Sequence, residues 1–101
     1  MKVSRHAKRR TRERLGLPTK AAHTNAQKAL QHGFHRWECH TGLRRYLDFL
    51  YHQTGDNPDV VVYHRHVYIF ANGTLITVLN LPQKYFARAD KLEREKEGLD
   101  D

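Results

Sequence analysis

Apolar and small side chains recur every fourth residue at the start of this chain, at Val3, Ala7, Thr11 and Leu15. That spacing lines them up as a narrow stripe on one side of a helix. Ser4 ahead of the stripe is a good N-cap and Gly16 behind it a good C-terminal stop. Leu17 and Pro18 break the chain and Thr19 can cap again. Lys20 to His32 is then rich in Ala, Gln and Lys up to Gly33, a second helix whose small face is Ala22, Ala26, Ala29 and Leu30. Phe34 to His40 carries no regular period. Thr41 caps a third helix, in which Leu43, Tyr46, Leu47, Leu50 and Tyr51 fall at i, i+3, i+4, i+7 and i+8 as one buried stripe. Thr54 to Pro58 is turn chemistry and ends the helical half.

Val60 to Leu81 has the alternation of strands, with β-branched and aromatic residues on both sides of Asn72-Gly73. An Asn-Gly two-residue loop specifies a hairpin, because both positions need positive φ. It sets Ala71 opposite Thr74, Ile69 opposite Ile76 and Val67 opposite Val78 on one face. Phe70 then faces Leu75, Tyr68 faces Thr77 and His66 faces Leu79 on the other. If His64-Arg65 is a second two-residue turn, Val60 and Val62 join the first face, and Val61 and Tyr63 the second. The expected fold is therefore α+β: about three N-terminal helices, then a three-stranded antiparallel meander, forming a single small domain over residues 1–82. A charged tail over 83–101, helical or disordered, follows. The second sheet face places Tyr63, His66, Tyr68 and Thr77 among Val61, Phe70, Leu75 and Leu79. It reads either as a binding face or as a second small core covered by Phe34 to His40, by the tail or by a second subunit in a homodimer.

Length and composition narrow this picture. With 101 residues the chain is one domain with a modest core and no room for a large enclosed cavity. The longest nearly unbroken apolar run, Leu75 to Leu81, is far short of the ~20 residues that cross a bilayer, so no membrane partner is expected. The lone Cys39 cannot form an internal disulfide and no secretory pattern opens the chain, which reads as cytoplasmic.

The distribution of charge is more telling. Eighteen Lys and Arg against eleven Asp and Glu give +7, with eight histidines besides. Lys2, Arg5, Lys8, Arg9, Arg10, Arg12 and Arg14 stand against Glu13 alone in the first fourteen residues, whereas Phe86 to Asp101 holds four bases and six acids. A basic start, a near-neutral body and a mildly acidic end point to nucleic acid as partner.

Three constellations could carry chemistry. On a helix, His6, Arg9/Arg10 and Glu13/Arg14 lie one above another. Arginine forks pair with phosphate, and a neighbouring histidine can move a proton, so Arg5, Lys8, Arg9 and Arg12 read as phosphate contacts. The plainer alternative is a solvated cationic helix. On the sheet, Tyr63, His66 and Tyr68 are of the types that stack bases and position a 2′-hydroxyl. Lastly, His32, His35, Cys39 and His40 are metal-ligand types within nine residues. They lack the distant second pair of a zinc site, so neither a metal nor another cofactor is assigned. There is no Gly-rich phosphate loop, paired-carboxylate arrangement or Ser-His-Asp set.

The opening Ser4-Arg5-His6-Ala7, with Arg10 and Glu13-Arg14-Leu15-Gly16, precedes Tyr46-Leu47 and Leu50-Tyr51. With the closing Val67-Tyr68-Ile69-Phe70, Thr74-Leu75-Ile76-Thr77-Val78 and Leu81-Pro82, these residues resemble small hypothetical proteins of Firmicutes, their plasmids and phages. More distantly, the His-Ala…Arg…Glu-Arg opening ahead of an antiparallel sheet is similar to the RelE-like, barnase/colicin-type ribonuclease toxins. That resemblance implies metal-independent RNA cleavage, with His6, Arg10, Arg14 and Thr77 near the scissile phosphate. The function expected is thus an RNA-binding protein of a phage or mobile element, with RelE-like endoribonuclease activity as its enzymatic form. The alternative is an anti-CRISPR or antitoxin-like inhibitor whose partner is a nucleic-acid enzyme or its guide RNA. A DNA-binding regulator comes third, for want of a helix-turn-helix pair.

Overall fold

The hairpins organise the fold. In this computed structural model, which describes the backbone of residues 1–100 and the side chains of 1–96, both two-residue turns have positive φ throughout. The angles are 47° and 64° at His64 and Arg65, and 52° and 75° at Asn72 and Gly73. That is the twist a right-handed hairpin needs. They join β3 (Asp59–Tyr63), β4 (His66–Ala71) and β5 (Thr74–Asn80) as an antiparallel meander. Val62 pairs with Val67, Val60 with Ile69 and Val61 with Tyr68, as the pattern requires.

The meander is the centre of a larger sheet, and here the expected architecture is corrected. Two short strands extend it: β1 (Lys2–Val3) lies parallel to β5, and β2 (Phe34–His35) antiparallel to β3, giving the order β1-β5-β4-β3-β2. Four α-helices surround this mixed five-stranded sheet rather than three preceding a meander: α1 (Arg5–Leu15), α2 (Ala22–His32), α3 (Thr41–Thr54) and α4 (Phe86–Asp100). Single 3₁₀ turns at Thr19–Ala21, Arg36–Glu38 and Gln83–Tyr85 connect them. Two-residue strands show no period that a sequence pattern can register. They are held by backbone bonds, such as Lys2 N–H to the Gly73 carbonyl and Ser4 N–H to that of Leu75, each 3.0 Å.

Helices cover both faces. Leu43, Leu47 and Leu50 of α3 and Ala89 and Leu92 of α4 pack with Val60, Val62, Val67 and Ile69. On the other face, Ala7 of α1 and Ala26 and Ala29 of α2 pack with Val61, Tyr68, Phe70, Leu75 and Val78. The small side chains of α1 and α2 let these helices approach closely. At Gly33, which carries α2 into β2, a Cβ would lie 2.5 Å from the Ala29 carbonyl oxygen and 2.6 Å from Val61 Cγ1. The last helix is tied down as well as packed. Arg65 forks onto Asp90 at 2.6 and 3.2 Å, and Lys96 Nζ donates to the carbonyls of His32 and Gly33.

One register expectation is overturned. Ala71 pairs with Thr74 and Phe70 with Leu75, but a β-bulge follows, so that Ile69 pairs with Thr77, Tyr68 with Val78 and Val67 with Leu79. The extra residue, Ile76, shifts every later side chain to the opposite face. Val78 therefore joins the core under α1, while Ile76 and Leu79 pack on the α3/α4 side.

Candidate nucleic-acid interface

α1 begins where Ser4 Oγ accepts the Ala7 N–H at 3.0 Å and donates to the Ile76 carbonyl at 3.3 Å, capping the helix and fixing it to β5 together. Thr11, fully buried, returns its hydroxyl to the Ala7 carbonyl at 2.9 Å, and Arg14 Nη1 donates to the Val78 carbonyl at 3.0 Å. Gly16 closes the helix in the left-handed conformation, φ 68°. Because Ala7 and Thr11 are the only fully buried positions of the helix, most of its circumference remains exposed.

At 100° per residue the exposed side chains fall into two rows. Arg5, Lys8 and Arg12 form one, at i, i+3 and i+7. Among the described residues none of the three has a side-chain hydrogen bond or ion pair. His6, Arg10 and Glu13 form the other row, with Arg9 between the two. Arg10 Nη1 meets Glu13 at 2.8 Å, and Arg9 lies 4.0 Å from it. Arg9 and Arg10 approach the two ring nitrogens of His6 at 3.3 and 3.4 Å. A neutral imidazole has one acceptor nitrogen, so only one of these contacts can be a hydrogen bond at a time. The helix's sole acid is thus confined to one row.

The first row borders a cleft of about 590 Å³ lined by Lys2, Val3, Lys8, Thr19, Lys20 and His23. A smaller hollow of about 400 Å³, lined by Arg12, Gly16, Leu17, Pro18 and Thr19, adjoins it at Thr19. The short Leu17-Pro18 break folds Thr19 to His23 back beside α1. That break was the available signal that Lys20 and His23 belong with the basic arm, although they read as ordinary helix residues in the sequence.

The residues expected on an open sheet face are placed differently. Tyr68 is buried beneath α2, and Asn25 Nδ2 donates to its hydroxyl. Burial pushes that phenol up to about 12, against the opposing effect of the Asn25 bond. Tyr63 is half-buried beside Tyr68 and His64, and burial, with Glu93 second, raises its pKa too. His66 Nδ1 donates to the His64 carbonyl at 2.9 Å. The second face is a core packed against α1 and α2 rather than an open sheet surface. The bulge turns Thr77 to the α3/α4 side, so it does not join His6. Arg14 lies two helical turns from His6, its guanidinium spent on the Val78 carbonyl.

The His/Cys segment is built into the framework. His35 Nδ1 meets Asp59 at 2.9 Å and its Nε2 donates to the Leu30 carbonyl at 3.3 Å. Cys39 is buried, and its thiol is pushed up to about 11, mainly by burial, which disfavours the thiolate a nucleophile or metal ligand needs. Among the described residues no three His, Cys, Asp or Glu side chains are grouped to hold a metal ion, and no helix is long and apolar enough to cross a membrane.

Comparison with known protein families, curated proteins and solved structures finds no match to this chain.

Proposed function

We propose that the chain binds RNA along its phosphate backbone through Arg5, Lys8, Arg9 and Arg12 of α1. The observation that carries this reading is the row Arg5, Lys8, Arg12, exposed along a helix whose one acid faces the other row. Unpaired cations lose no internal ion pair when phosphate arrives, and neutralising phosphates releases counterions, the main source of such affinity. A single strand suits the shape better than a duplex. α1 is seated on the sheet and flanked by hollows, whereas a helix that reads a duplex must project into the major groove. Such a role belongs in the cytoplasm, where RNA is abundant.

With about four phosphate contacts, affinity for a single-stranded RNA should fall with salt at a log-log slope near −3. The double variant Arg5→Glu, Arg12→Glu should flatten that slope and weaken binding of every RNA sequence alike. A slope near zero for the unmodified protein would remove α1 from the function.

A second reading, RNA cleavage, draws on His6 lying between Arg9 and Arg10 with Glu13 one turn on. A proton-transfer group beside fixed positive charge is what attack by an internal 2′-hydroxyl requires. It uses His6, Arg10 and Glu13, without Thr77. His6→Ala should lower single-turnover cleavage on the order of 10²-fold with EDTA present. Intact RNA after incubation with saturating protein would leave binding alone.

A further inference from the structure

We infer that the cleft formed by Lys2, Lys8, Thr19, Lys20 and His23 seats a terminal phosphate monoester. This deepens the RNA-binding reading and, for the strand end as ligand, rests on it. The walls come from four elements held by their own bonds. Lys2 is in β1, whose backbone is paired to β5, and Lys8 is on α1, capped by Ser4. Thr19 and Lys20 are in the turn before α2, and His23 Nε2 donates to the Met1 carbonyl at 3.1 Å, tying α2 to β1. That carbonyl can only accept, so the His23 proton sits on Nε2 and the ring is oriented.

The lining chemistry selects the ligand. Lys2, Lys8 and Lys20 line about 590 Å³ with no acid among the lining residues. A carboxylate or a passing phosphodiester carries one negative charge and would leave a large surplus. A phosphate monoester carries about −1.5 to −2 at neutral pH and offers three acceptor oxygens. The contrast with α1 is informative. Arginine, dominant along the helix, forks onto diester oxygens, whereas lysine is a compact point charge that suits a small, highly charged group from several directions. Thr19 adds a hydroxyl donor. The cleft also shares Lys8 with the basic row and meets the Arg12 hollow at Thr19, so a strand lying along α1 would reach it with its end.

The monoester could equally belong to a free nucleotide or to inorganic phosphate, and the experiment separates these sources. RNA decamers carrying a 5′-phosphate, a 3′-phosphate or hydroxyls at both ends compete for the protein against a labelled hydroxyl-ended decamer. Adenosine monophosphate and inorganic phosphate are titrated separately and followed by the amide resonances of Lys20 and His23. A phosphate at one end should improve competition on the order of tenfold. The double variant Lys2→Ala, Lys20→Ala should abolish that gain, bringing the phosphate-ended decamers level with the hydroxyl-ended one; both side chains are exposed, and circular dichroism verifies the fold. Equal competition by all three decamers, with no resonance shift from either small ligand, overturns the seat even if RNA binding stays salt-dependent. Shifts from a free phosphate without any gain from a strand end support the seat with a small molecule as its ligand. The same shifts in a protein whose RNA affinity ignores salt would sink the backbone reading and keep the seat.

Discussion

Tyr68 carries both an aromatic ring and a hydroxyl on an antiparallel strand, and such a residue serves recognition or packing according to what covers it. Here Asn25 and α2 cover it. Tyr68→Ala should therefore cost about 3–5 kcal/mol, comparable with Ile69→Ala on the opposite face, rather than clearly less as an exposed sheet face would give. Tyr68→Phe keeps the ring and should cost about 1 kcal/mol, the scale of one hydrogen bond. The pH behaviour separates these effects. With its folded pKa about 12 against 10 in the unfolded chain, Tyr68 is neutral in both states below pH 10, and its stabilisation is then intact. Between 10 and 12 only the unfolded chain ionises, so stability falls as pH rises. Urea midpoints from pH 9 to 12 should fall less steeply in Tyr68→Phe. At the acid end, hydrogen bonds from Arg36 and then Arg44 hold the Asp48 carboxyl below its ordinary value. That contribution is present above the ordinary value near 3.8 and is lost as pH falls through the lowered one. Asp48→Asn should make the midpoint less sensitive to acid below pH 4.

Among the elements, three helices and the three long strands were legible because period and turn chemistry agreed, as at Leu43–Tyr51 and Asn72-Gly73. Three features were not. β1 and β2 are two residues each, too short for alternation, and are defined by bonds to distant strands. The bulge at Ile76 hides inside a run of β-formers, where either register buries apolar side chains: Val78 or Leu79 on the α3/α4 face, Leu79 or Val78 on the other. Its consequence for the site is direct, since Thr77 changes face with it. Gly33 ends the second helix as expected, but its φ of −76° is ordinary, and what requires glycine is the contact with Ala29 and Val61. Gly33→Ala should cost about 3 kcal/mol or more, because backbone on both sides must move. A urea midpoint close to the unmodified protein's would show that α2 and β3 are less tightly apposed than described.

For the molecule as a whole, the charge distribution was fully readable, and it is the feature the proposed function uses. The covering of both sheet faces was not, because it depends on where four helices pack. One result is a division of labour. α3 and α4 close the larger core, with α4 fixed through Asp90, Glu93 and Lys96, while α1 is seated by few buried side chains and displays its basic rows. Ending the chain after Tyr85 should uncover Leu43, Leu81 and Val67, read as strong binding of an apolar fluorescent dye and a lowered Tm. The central claim, that α1 and the turn beside it receive RNA, is tested most directly by an amide-resolved NMR titration of the whole chain with a single-stranded RNA decamer at low salt. The account predicts shifts concentrated at residues 2–12 and 19–23 that reverse as salt is added, with α3 and α4 unchanged. Shifts centred on α3 or α4, or none at all, would contradict it.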